Sequence, residues 1–132
     1  MGNHLSDDLA MRVIKDIEES VNTFDGSATD FYRQYYDKES RVRTVMIQVK
    51  SIKRGRIKMG SRMFFHLSRL VSDKDLIGQC AYYLARHDDM TMDFDLQAFL
   101  VEQAMKYKKR HGIKRGGGIP LTAMYYLEKE GA

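Results

Sequence analysis

Hydrophobic positions recur along most of this chain at intervals of three and four, the spacing of an amphipathic helix. Leu9, Val13, Ile17 and Val21 repeat every fourth residue, and Ala10 and Ile14 widen the stripe. Ser6 in front of them is a good N-cap, with Asp7 and Asp8 complementing the positive end of a helix dipole. A first helix is therefore expected over about 7–23, ended near Asp25 and Gly26.

Ser27 or Thr29 can cap a second element. Phe31, Tyr35, Val42, Val45, Met46, Val49 and Ile52 share one helical stripe that runs up to Gly55. A competing pattern overlaps it: Val45, Ile47 and Val49 alternate in a β-branched run, and Lys53-Arg54-Gly55-Arg56 could turn a β-hairpin around 43–65. The helix is the preferred reading because its stripe persists through the whole segment. Further on, Ser61 caps a short helix carrying Met63, Phe64, Leu67, Leu70 and Val71. Ser72 with Asp75 resembles a capping box for a helix through Leu76, Ile77, Cys80, Ala81 and Leu84. Residues 88–93 form a turn, after which Leu96, Phe99, Leu100, Gln103, Ala104 and Tyr107 make a stripe stopped at Gly112. Pro120 suits the first turn of a last helix from Leu121 to Lys129. These elements predict a mainly α protein, a compact bundle of about five to six helices. The expected organisation is a single domain over 1–132 with a flexible glycine-rich joint at 115–118.

Composition narrows the class without changing this picture. Hydrophobic residues make up 43% and charged residues 30% of 132 residues, ordinary values for a globular chain. No apolar run approaches the ~20 residues that cross a bilayer. A single cysteine, Cys80, forms no internal disulfide and suits a reducing, cytoplasmic setting.

Charge changes the picture more. The net +4 conceals a segregation. Residues 1–30 carry a balance of −5. From Arg41 to Ser72 there are nine basic residues and no acid. Residues 73–102 return to −5, and Gln103 to Leu127 adds six more basic residues, again without an acid. Like charges repel along a chain, so acid-free blocks make most sense where a polyanion relieves the repulsion. Two strips of phosphate-contacting residues are expected: Arg43, Lys50, Lys53, Arg54, Arg56, Lys58 and Arg62 in the first, and Lys108, Lys109, Arg110, Lys114 and Arg115 in the second. DNA and RNA are both compatible with this pattern. An acidic protein partner satisfies the same physics.

Catalytic chemistry finds little support. His4, His66, His87 and His111 are scattered, without helical zinc spacing. The acidic run from Asp89 imitates a calcium loop, but Phe94 stands where the turn glycine belongs and Leu100 where the bidentate acid belongs. Cys80 sits on an apolar stripe, as a structural cysteine does. Lys114-Arg115-Gly116-Gly117-Gly118 could cradle a phosphate, yet it lacks the spacing and the Lys-Ser/Thr of a nucleotide-binding P-loop. No cofactor and no metal are expected, and the chain reads as non-enzymatic.

Ten of the fourteen aromatic residues fall in adjacent pairs. On a helix continuous through 27–55, Tyr32 and Tyr36 would point away from Phe31 and Tyr35, which nominates them as a homodimer interface. Finally, Met1-Gly2-Asn3-His4-Leu5-Ser6 fits the N-myristoylation pattern, and the basic block could be its second membrane signal. The leading expectation is a nucleic-acid-binding accessory or regulatory protein, with a protein-docking module and a membrane-surface protein as alternatives.

Overall fold

A computed structural model describes residues 4–87 and 94–113. Six α-helices follow in order: α1 (Asp7–Thr23), α2 (Ala28–Arg33), α3 (Glu39–Lys53), α4 (Ser61–Leu67), α5 (Lys74–His87) and α6 (Phe94–Arg110), with a 3₁₀ turn at Ser68–Leu70 after α4. Among the described residues no strand forms, only a single antiparallel bridge between His4 and Gly60. The mainly helical class expected from periodicity holds. The expected last helix beyond Pro120, the glycine-rich joint and the acidic turn at 88–93 lie outside the described residues, as does Gly2.

The first cap is as the sequence implies. Ser6 Oγ accepts from Leu9 N at 3.3 Å, and the α1 stripe Leu9, Ala10, Val13, Ile14 and Ile17 is buried. Ser27 does the same for α2, accepting from Asp30 N at 3.1 Å. Two other expected caps differ. Gly60, not Ser61, is the N-cap of α4, and no side chain caps it. At α5, Asp73 Oδ1 accepts from Asp75 N and Leu76 N, at 3.0 and 3.1 Å. Ser72 instead turns back to α1, where Asp16 accepts from its backbone N–H at 2.8 Å and from its hydroxyl.

The continuous helix expected through 27–55 is interrupted between α2 and α3. Gln34 N and Tyr35 N close tight turns onto Phe31 O and Tyr32 O, after which the chain leaves the helix. Arg33 clamps the corner, donating from Nη2 to Glu39 at 2.6 Å and from Nη1 to Asp30 at 2.8 Å. The break lets Tyr36 swing into the interior, where its hydroxyl donates to the His66 carbonyl at 2.9 Å. An uninterrupted helix would hold that ring about 40° from Tyr32 and about 140° from Phe31; the corner removes that constraint. 

The possible β-hairpin around 43–65 does not form. Val42, Val45, Val49 and Ile52 are buried at helical spacing, while Ile47 is 58% exposed. A strand would have turned Val45, Ile47 and Val49 to one face; the helix sends Ile47 to the opposite side. The Lys53-Arg54-Gly55-Arg56 sequence is a helix end rather than a hairpin loop. Gly55, at φ +74°, donates to Ile52 O, and Arg56 N reaches back to Ser51 O, both at 2.9 Å. That pair of bonds is a Schellman motif, which satisfies the last carbonyls of α3.

The core joins all six helices around Phe64, Ile14, Ile17, Val45, Leu67, Leu84 and Leu100, each fully buried. Helix α3 packs on α1 and α2, whereas α6 packs on α5 and α4. The two basic segments thus ride on different helix pairs.

Candidate nucleic-acid interface

Helix α3 turns its buried stripe inward, so at ~100° per residue Arg43, Lys50 and Arg54 fall within about 40° of each other on its outer side. All three are exposed. Arg54 is the C-cap, and Lys50 lies in the last turn, where cations complement the negative end of the dipole. From Arg43 to Arg54 the edge is about 16 Å long, at 1.5 Å per residue. Among the described residues none of the three forms an ion pair. Glu39, one turn before Arg43, is already engaged by Arg33, which together with the smaller field of Arg43 holds its carboxyl below the usual range. Arg56 follows in the exposed loop. Ile47 projects beside the cations, and Met46 forms the floor of a shallow groove of 280 Å³ between α3 and Thr29 of α2.

Other cations of the same block have internal partners. Lys53 Nζ meets Glu18 of α1 at 2.7 Å, and Lys58 Nζ meets Asp7 at 2.7 Å. The hydrogen bond from Lys58 holds the Asp7 carboxyl below its ordinary value. The acidic N-terminal block therefore neutralises part of the basic block that follows it. Arg62 lies on α4 and lines a second cavity.

The second strip is largely absorbed. Lys108 is buried, its stem lying along the face that carries Val101 and Ala104. Arg110 Nε donates to Asp75 of α5 at 3.1 Å, and His111 Nε2 lies 2.9 Å from the same carboxylate. Those bonds, His111 foremost, hold Asp75 below its ordinary pKa. Lys106 pairs with Glu102 at 3.1 Å. Lys109 alone of the expected α6 set is exposed without an ion pair among the described residues. Lys114 and Arg115 lie outside the described residues.

The tyrosine pair nominated as an interface is interior. Tyr32 and Tyr36 are 5% and 7% exposed, and burial pushes both hydroxyls up to about 12. Tyr35 is the exposed member of the group. Its carbonyl accepts from Arg69, whose guanidinium sits 5.1 Å from the Tyr36 ring centroid.

Sequence reasoning passed over a second cationic cluster. His66 on α4 is pushed below its ordinary pKa by burial and then by Arg41, Arg69 and Arg62. No pattern in the chain announces it, because Arg41 belongs to α3 and is joined to the others only by the packing of α4 under the α2–α3 corner.

Cys80 is fully buried and its thiol is pushed up to about 12, which leaves no thiolate at neutral pH. Among the described residues no group of three or more His, Cys, Asp or Glu could hold a metal ion. None of the described helices is long and apolar enough to cross a membrane. Comparison with protein families, curated proteins and solved structures finds no match to this chain.

Proposed function

We propose that this is a non-enzymatic helical protein that binds nucleic acid through the outer edge of α3. One observation carries the reading: Arg43, Lys50 and Arg54 line a single solvent-facing edge and have no carboxylate partner among the described residues, while neighbouring cations do. A helix presenting several unneutralised cations in a row gains from phosphate contacts through counterion release. Arg56 extends the same edge, and Lys109 contributes only at a distance along the chain.

The test is a gel-shift titration of the full chain against DNA and RNA at two salt concentrations. Binding at ~50 mM salt that weakens steeply by ~200 mM is expected. No shift at the lower salt for either nucleic acid would falsify the reading.

A second reading rests on Ile47. An exposed aliphatic side chain between Arg43 and Lys50 also suits an acidic protein whose own apolar residue covers it. That reading predicts a complex that survives nuclease digestion and loses affinity on Ile47→Ala, whereas phosphate binding tolerates that change.

A further inference from the structure

The crest of α3 is an aliphatic residue, not a cation. Buried Val42, Val45, Val49 and Ile52 define the inner side of the helix, and at ~100° per residue Ile47 falls almost directly opposite them. Ile47 is 58% exposed, more than any other large apolar side chain among the described residues. On one flank Arg54 and Arg43 stand within about 40° of it and Lys50 within about 60°. The other flank carries Ser40, Thr44 and Ser51, all short, and Thr44 Oγ1 turns back to donate to the Ser40 carbonyl at 2.9 Å.

Phosphate contacts account for the cations but give Ile47 no partner. An aliphatic crest gains only where the anionic surface carries an apolar group of its own. The major groove of B-DNA is such a surface: about 12 Å wide, it admits an α-helix between two phosphate rims and presents thymine methyl groups on its floor. A helix with its side chains is about 10–12 Å across, and a flank of short residues lets the backbone of α3 sink. The cations run along the helix for about 16 Å, as the phosphates of one rim do. An A-form RNA duplex has a deep, narrow major groove that side chains cannot read.

We propose that α3 lies in the major groove of double-stranded DNA, with Ile47 against a thymine methyl and Arg43, Lys50 and Arg54 on the phosphates of one rim. The aliphatic contact distinguishes an A·T pair from a G·C pair, and the cations set the position of the helix without reading sequence. The inference rests on the nucleic-acid reading above and adds to it a choice of duplex DNA and a preference for thymine at one position.

Selection by the full chain from a random-sequence DNA duplex pool, followed by fluorescence anisotropy, tests the assignment. The enriched duplexes are expected to share a thymine and to bind at least about tenfold more tightly than the starting pool. Replacing that thymine by uracil removes only the methyl and should weaken binding roughly fourfold. Ile47→Ala should abolish the thymine–uracil difference yet leave affinity for the starting pool unchanged, which a folding defect would not do. No enriched sequence, a thymine–uracil difference that is absent or persists in Ile47→Ala, or equal affinity for duplex RNA overturns the groove assignment and leaves the phosphate reading of α3 standing. Poly-glutamate bound as tightly as the selected duplex also overturns it, in favour of an acidic protein. Failure to bind any nucleic acid overturns both.

Discussion

Helices α3 and α6 are built alike but differ in what their cations meet. Each has a basic last turn, and each ends in a Schellman motif closed by a glycine: Gly55 after α3, and Gly112 after α6, where Ile113 N reaches Lys108 O at 2.9 Å. The difference lies in what stands opposite. Helix α6 runs beside α5, so that the end of α6 meets the start of α5, and Asp75 takes both Arg110 and His111. Tyr107 continues the seam against Tyr82, with ring centroids 5.6 Å apart. Helix α3 packs its inner side on α1 and α2, and among the described residues only its Lys53, on the flank, finds a carboxylate. A run of cations is a binding surface only where no neighbour brings acids to it.

The sharpest way to break this comparison is to remove charge from each helix in turn. Replacing Arg43, Lys50 and Arg54 together by alanine is expected to weaken nucleic-acid binding on the order of a hundredfold and to flatten its salt dependence by about three units of slope. Replacing Lys106 and Lys109 by alanine should change affinity by less than about threefold, since the first is already paired. Equal losses from the two sets would show that the ion pairs of α6 do not matter.

Stability should respond in the opposite sense, because the α5–α6 seam is tightly fitted. A Cβ added at Gly78 would lie 2.9 Å from Tyr107 Cβ and 2.6 Å from Arg110 Nη2. The arginine tip can move aside; the tyrosine Cβ, fixed to its backbone, cannot. Gly78→Ala is therefore expected to destabilise by about 1–3 kcal/mol despite alanine's better helix propensity, read as a lower thermal midpoint. Ile47→Ala on the open side of α3 should stay within about 0.5 kcal/mol.

Two neighbouring lysines give a smaller contrast within α6. Lys108→Glu places a carboxylate on a buried face and should cost about 1–3 kcal/mol in denaturant unfolding, whereas exposed Lys109→Glu should cost less than about 0.5 kcal/mol.

The least effect is expected from pH, and its windows separate the two regions. Asp75 has a folded-state pKa below its ordinary 3.8, so its contribution is complete above that value and is lost as pH falls through the folded pKa. His66 is also depressed, from 6.5, because burial and the three arginines disfavour its cation. The unfolded chain then binds the extra proton first, and stability declines as pH falls below about 6.5 toward the folded value. His66→Gln should remove the upper slope in a pH series of thermal melts, and Asp75→Asn the lower one.

Much of the helical scaffold was legible in the sequence. The stripe and Ser6 cap of α1, the Ser27 cap of α2 and the stop at Gly112 rest on contacts within a few residues, so local rules reach them. The break at 34–38 escaped because the hydrophobic stripe passes across it in phase: Tyr35 and Val42 are seven residues apart, two helical turns. The break takes Tyr36 to a partner the local pattern does not show, the His66 carbonyl thirty residues on. The tyrosine pair was misplaced for the same reason. For the candidate site, the acid-free block marked the cations of α3 but could not separate Lys50 from Lys53, three residues apart on one helix, since Glu18 lies on another.

The sequence by itself determined most of the helices, their polarity and the concentration of positive charge in two segments, because periodicity, capping and charge are properties of neighbours along the chain. Tertiary structure alone decided which charges remained available. Glu18, Asp7 and Asp75 each lie far along the chain from the cation they meet, and an ion pair depends on distances of a few ångströms that only packing sets. The same packing brought Arg41, Arg62 and Arg69, from two helices and a turn, close enough to His66 to help hold its pKa below the ordinary value.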